Sequence, residues 1–261
     1  MVSSWALVIL LGSLSFCQTA YVETLPKCSF SDQECLKNVI QNVLKDISKT
    51  GIKELSIPPV DPIKLKNIQV SVLGLINITL EDGVAKGIKE CVIDKIETEL
   101  DKGHTQIEVT CDVIIKGKYN AVGASPIIKN LLGNNEVRGD GIAKVKIDKL
   151  HLKLDFYYDF IKKADGDIYI KCRFNKTIYE YDMGSIKISA DRIFLGEQDF
   201  SDLIVSTLNE NWKFVMQTFG KDFFDVAMDI FYKTIHKFFD NIPTKYFVTD
   251  DLTPYVKNLL K

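Results

Sequence analysis

Leu36, Val39, Ile40, Val43, Leu44 and Ile47 recur at spacings of three and four. That period predicts an amphipathic helix of about four turns. Ser31-Asp-Gln-Glu34 opens it as a Ser-x-x-Glu capping box, and Thr50-Gly51 closes it. The segment Ser56–Pro62 holds three prolines and reads as an extended, rigid connector. From Ile63 to about Leu195 the pattern turns to alternating and β-branched runs: 68–73, 75–80, 87–97, 106–116, 141–156, 167–174, 176–181 and 185–194. Asp101-Lys-Gly103, Gly133-Asn-Asn135, Asp165-Gly166 and Met183-Gly184 punctuate them, which predicts an antiparallel meander. The stretch 143–156, AKVKIDKLHLKLDF, alternates almost strictly, so one face of this sheet is apolar and the other meets water.

After Phe200 the helical period returns. Phe200 to Phe239 contains no proline and one glycine, Gly220, where a bend is expected. Leu203, Ile204, Leu208, Trp212, Val215, Phe219, Phe223, Val226, Ala227, Ile230 and Phe238 follow the helical spacing. Unbroken, such a rod would run roughly 60 Å. Met216, Phe224, Phe231 and Phe239 widen its apolar arc, so the helix has to be enclosed. A long one-sided sheet and a long apolar helix satisfy each other if the sheet curls round the helix. The expected fold is therefore α+β: a long C-terminal helix wrapped by a highly curved antiparallel sheet, with a shorter N-terminal helix. A curved sheet fills the space along a cylinder imperfectly, which predicts an apolar tunnel, the usual kind of ligand site.

Composition adds the compartment. The first twenty residues, MVSSWALVILLGSLSFCQTA, read as a secretory signal peptide whose apolar run is too short to span a membrane, so no stable membrane anchor is expected. Cleavage between Cys17 and Ala20 leaves Cys28, Cys35, Cys91, Cys111 and Cys172 to meet an oxidising environment, an odd number. Cys28 and Cys35 flank the helix start, where a bridge pins the preceding segment to the first turn. Asn77-Ile-Thr79 and Asn175-Lys-Thr177 are glycosylation sequons. The formal net charge is −2, from 33 basic and 35 acidic residues, so no case for nucleic acid arises.

No catalytic or metal constellation is visible, and no cofactor is expected. His104, His151 and His236 lie far apart and read as solvated, as does the pair Asp250-Asp251. There is no Gly-x-Ser-x-Gly elbow, and the Gly-x-Gly at 139–141 leads into a strand rather than a helix. The aromatic stripe of the long helix is core first. Its members facing the expected tunnel, Leu208, Trp212, Val215, Met216, Phe219, Phe223 and Ile230, are the candidate ligand-binding residues.

Several motifs in order resemble one family. They are Pro26 with Cys28-x6-Cys35, GIKELSIPPVDPIKLKNIQV (51–70), KGKYNAVG (116–123), LNENWKFVMQ (208–217) and IPTKYF (242–247). Together they are similar to the insect takeout and juvenile-hormone-binding proteins over nearly all of the chain after the leader. The resemblance implies a long helix inside a curved sheet and a secreted monomeric carrier of terpenoid-like or fatty-acid-like molecules, with a receptor of unknown identity. It divides the chain into a signal peptide (1–20), a takeout-like domain (21–247) and a C-terminal extension (248–261), either a short helix or a mobile tail. The resemblance implies the N-terminal cysteine pair typical of takeout-like members, while hormone-binding members use a second bridge. A hairpin about residue 101 would set Cys91 opposite Cys111, as a disulfide with Cys172 free, or as two buried thiols. Two other readings stand beside the carrier: an extracellular signalling or interaction protein with a filled interior, and a defence protein that binds microbial lipid, which the net charge disfavours.

Overall fold

The computed structural model describes residues 21–123, 126–131 and 136–257. The leader and the turn at Gly133-Asn-Asn135 lie outside the described residues. Helix α1 spans Gln33–Thr50. Its cap is Asp32 rather than Ser31: the Asp32 carboxylate accepts from the Cys35 N–H at 3.0 Å. A carboxylate at this end also meets the positive pole of the helix dipole, which a serine hydroxyl does not. The Ser31 hydroxyl pairs instead with that of Ser29. At the other end Gly51 takes φ 63°, and a Cβ there would stand 2.1 Å from the Ile57 carbonyl oxygen.

Among the described residues the sheet has 11 strands, and every strand pair in it is antiparallel. Strands β1 (Ile63–Val72), β2 (Ile76–Lys86) and β3 (Val92–Glu99) lead to β4 (His104–Gly123), followed by the short helix α2 (Pro126–Leu131) and β5 (Val137–Gly139). Then come β6 (Ile142–Lys162), β7 (Ile168–Cys172), β8 (Ile178–Asp182), β9 (Ser185–Ala190), β10 (Ile193–Leu195) and β11 (Gln198–Asp199). The order departs from a plain meander. Strands β4 and β6 pair along most of their length and form a spine. The other edge of β4 is shared end to end by β3 and β2, and the other edge of β6 by β7, β8 and β9. Local periodicity cannot foresee this, because strand pairing is a long-range choice.

A bulge keeps the spine's apolar face consistent. In 143–156 the alternation slips by one residue at Asp148-Lys149. There Asp112 of β4 faces both residues, Lys149 has φ 51°, and its N–H donates to the Asp112 carboxylate at 2.7 Å. The extra residue is absorbed, so Ile147 and Leu150 both stay buried, and the strand bends locally as the sheet curves.

The rod is two helices, α3 (Ser201–Glu210) and α4 (Trp212–Asn241). The interruption falls at Asn211, whose side chain donates to the Thr207 carbonyl oxygen at 2.9 Å, and not at Gly220. Asparagine competes with the helix for backbone partners, whereas Gly220 remains helical because a ring lies against it. Helix α4 alone is about 45 Å long at 1.5 Å per residue. The 208–217 segment docks the rod: the Asn209 amide accepts from the Ile188 N–H at 2.7 Å and donates to the Ile188 carbonyl at 2.8 Å. The side chain thus completes the free edge of β9 as a neighbouring strand would.

Of the expected C-terminal extension, residues 248–257 are docked on the fold and residues 258–261 lie outside the described residues. Val248 bridges in parallel to Cys28, and Val256 to Phe160. Leu252 is buried, Asp250 accepts from the Ser29 hydroxyl and the Phe30 N–H, and Thr253–Tyr255 makes one 3-10 turn. Asp250 is therefore an internal staple and not a solvated carboxylate; Asp251 stays exposed.

Candidate ligand-binding interior

Both cysteine pairs are disulfides, Cys28–Cys35 and Cys91–Cys111. Cys91 and Cys111 extend the β3–β4 register just past Val92 and Thr110, with their Cα atoms 4.3 Å apart. Helix α1 is fastened to this point: the Gln41 amide donates to the Cys91 carbonyl at 2.6 Å and accepts from the Ile93 N–H at 3.3 Å. Cys172 is free and half-buried, and burial pushes its thiol up to about 12. A protonated thiol is a poor nucleophile, which fits a packing role.

His104 is not solvated. It opens β4 between two carboxylates, Nε2 2.8 Å from Asp155 and Nδ1 3.3 Å from Glu99, and stacks on Tyr157. Burial raises the Asp155 carboxyl, but hydrogen bonds from Gln106 and His104 hold it below the usual range. His151 and His236 are more open. Among the described residues no group of three or more His, Cys, Asp or Glu is placed to hold a metal ion.

The interior is apolar. Ile93, Val109, Val113, Ile147, Leu150, Leu152, Leu154, Phe156 and Ile186 of the sheet meet Met216, Phe224 and Met228 of α4 in one buried cluster. On the helix side the buried line is Met216, Gly220, Phe224 and Met228, each one turn after the last. Gly220 belongs to it because Tyr181 of β8 crosses the helix there. A Cβ at 220 would lie 2.5 Å from the Tyr181 hydroxyl, which donates to the Met216 carbonyl at 3.1 Å. The Tyr181 ring stacks on Phe224 with centroids 4.1 Å apart. A glycine between Phe219 and Phe223 reads in sequence as a breaker, and that hid this line. The repeat of residues at every fourth position from 216 to 228 was its available signal.

Of the seven candidate residues, Met216 is in the buried cluster and Trp212 packs against it. Leu208, on α3, is half-buried. Val215, Phe219 and Ile230 are also half-buried, Phe223 is 39% exposed, and all four lie outside the cluster. At about 100° per residue, Phe219, Phe223, Val226 and Ile230 fall between the buried line and Asp222. Asp222 marks where the β1–β2 hairpin reaches the helix: the Leu73 N–H lies 3.4 Å from its carboxylate. Strand β1 lies beside α4, and its apolar positions Ile63, Leu65, Ile68, Val70 and Val72 are half-buried; none of its residues is fully buried. Helix and hairpin thus lie side by side, and the apolar residues on this face of α4 and along β1 keep partial exposure to solvent. Two open surface hollows, of about 480 and 340 Å³, lie elsewhere, and none of the seven residues lines either. Asn77 and Asn175 of the sequons are both exposed.

The described residues thus form a long helix held by a curved antiparallel sheet around an apolar interior. The sequence matches the haemolymph juvenile hormone binding protein (JHBP) family over residues 6–249, and the chain belongs to that family. The fold is similar to the crystal structure of Epiphyas postvittana Takeout 1, with a TM-score of 0.73 and 26% sequence identity, covering 86% of this chain and 99% of that one. No curated protein matches the sequence. Residues 250–257, docked over Phe160, lie beyond the family match. Among the described residues no helix is long and apolar enough to cross a membrane.

Proposed function

We propose that the protein is a secreted carrier that holds a small hydrophobic molecule, a juvenile-hormone-like terpenoid or a fatty-acid-like lipid, along α4 and performs no chemistry on it. The observation that carries this reading is the seam between α4 and β1, apolar on both sides and solid on neither. Membership of the JHBP family and two disulfides support it. Leu208, Trp212, Val215, Met216, Phe219, Phe223 and Ile230 would supply the contact surface. A ligand that buries on the order of 400 Å² of apolar surface would gain roughly 10 kcal/mol before the costs of association. Exposed Asn77 and Asn175 are available for glycans in the secretory route.

Native mass spectrometry of protein collected from the medium of insect cells tests the reading, together with titration by a fluorescent fatty acid. The expected result is co-purified lipid or saturable uptake at one site per chain. Protein that flies without cargo and takes up no probe would favour an interaction protein with a filled interior.

A further inference from the structure

The outer face of the sheet is divided by charge. Directly paired residues of neighbouring strands share a face, and successive residues of one strand alternate between faces. Val113 and Ile147 are paired and buried, so they point inward and their neighbours along β4 and β6 point out. One outward row crosses β1, β2, β4, β6 and β9 as Lys64, Val84, Lys116, Lys144 and Ser189. On one side of it runs the row Lys86, Ile114, Lys146 and Lys187; on the other run Lys66, Asp82, Lys118 and Ile142. All eight lysines are exposed. Lys118 pairs with Glu81 and Lys146 with Asp148; among the described residues the other six form no ion pair. Lys116 and Lys144 stand directly opposite each other, a like-charge pair that opposes strand pairing unless an anion is near. Toward the other end of the spine the same face turns acidic, with Glu97, Glu99, Glu108, Asp155, Glu180 and Asp182 set among Lys95, Lys153 and two histidines. A formal net charge of −2 hides this division.

We propose that the basic half of the outer face docks the protein on an anionic lipid surface. The lysine rows extend about 20 Å across the strands, and neither surface hollow touches them. Such a spread suits a plane of headgroups better than a single anion or one linear polyanion. Lysine is a point charge on a flexible stem, which adapts to headgroups that move laterally. Ile142, 46% exposed beside Lys118, adds apolar contact among the charges. The face lies on the opposite side of the sheet from α4, so the inference stands apart from the carrier reading. A lipid carrier docked in this way would stand where cargo is taken up or given off.

Flotation of the whole secreted protein with vesicles of phosphatidylcholine, with and without phosphatidylserine, tests this. The patch variant is Lys116→Gln with Lys144→Gln and Lys187→Gln. The control is Lys45→Gln with Lys49→Gln and Lys53→Gln. It changes net charge equally on and just after α1, whose Ile40 and Leu44 pack on the inner side of the sheet. Expected is binding to the phosphatidylserine vesicles alone, weakening as salt is added. The patch variant should bind about 100-fold more weakly, at about 5-fold per lysine, and the control within about 2-fold of the parent. Both variants should melt at the parent's temperature, because only exposed side chains change. No binding to phosphatidylserine vesicles, or an equal loss in both variants, would overturn the proposal. So would retention on immobilised heparin without vesicle binding, which would assign the face to a linear polyanion. Salt-sensitive dimers without vesicle binding would assign it to a second copy of the chain. Uptake of a fluorescent fatty acid, read separately, bears on the carrier and not on the docking face.

Discussion

Two regions of this molecule are built from the same residue types and packed in opposite ways. At the end closed by the C-terminal segment, Phe160 is 2% exposed and Ile242 1%. Rings of Phe30, Tyr158 and Tyr255 surround Phe160, while Val248, Leu252 and Ile170 complete the cluster. Hydrogen bonds from Ser29, Phe30, Thr249 and Lys257 lock the backbone around it. Where β1 runs beside α4, by contrast, no apolar residue of β1 becomes fully buried. Close packing is what makes a core stable and specific; an apolar surface left incompletely packed is what a ligand can improve. The contrast assigns stability to the closed end and adaptability to the seam.

The sharpest way to break this assignment is at the closed end. Phe160→Ala should cost about 3–5 kcal/mol of unfolding free energy in urea, with little change in ligand affinity once folded. Replacing both Cys91 and Cys111 by alanine should cost about 3 kcal/mol in the chain-entropy account. It should also speed amide exchange in α1, because Gln41 is tied to the Cys91 carbonyl. A melting curve unmoved by either change would mean that stability resides elsewhere.

Gly220→Ala comes next, since it tests the buried line beside the seam. The new methyl would sit 2.5 Å from the Tyr181 hydroxyl and 2.9 Å from Met216 Cε. Overpacking of this kind costs about 1–3 kcal/mol, against about 1 kcal/mol regained on replacing a mid-helix glycine. Combining it with Tyr181→Leu should recover most of the loss in a double-mutant cycle. Full additivity would show that Tyr181 does not rest on this helix.

Gly220 also shows where sequence reading stops. The switch from period two to period 3.6 near residue 200 was enough to place sheet and helix, and the hairpin about residue 101 was enough to bring Cys91 opposite Cys111. Both signals are local. What stayed hidden depends on neighbours far along the chain. Tyr181 turns a glycine from a hinge into a contact, and the Asp155 carboxylate takes His104 out of solvent. Ser29 and Phe30 convert Asp250 from tail to staple. The slip at Asp148-Lys149 was legible as a fault in the alternation, but only the facing Asp112 shows it to be a bulge. In the buried cluster, Met216 and Trp212 were legible as part of an apolar stripe; Phe224 and Met228 were displaced from it because the buried line advances by four residues rather than by a mean of 3.6.

The smallest expected effect discriminates best between the two regions. Phe223 is 39% exposed and lies between the buried line and the hairpin contact at Asp222. Its removal leaves no closed cavity, because much of its ring already meets water and the seam can relax round the gap. Phe223→Ala should therefore change unfolding free energy by less than about 1 kcal/mol, well short of a core phenylalanine. A bound apolar chain would still lose the contact area of the ring, so a fluorescent fatty acid should bind about 3–10-fold more weakly. That is the reverse of the pattern expected for Phe160→Ala. If Phe223→Ala destabilises the free protein as much as Phe160→Ala does, the seam is packed core and the division between the two regions fails. If affinity alone falls, the incomplete packing on this face of α4 serves the ligand.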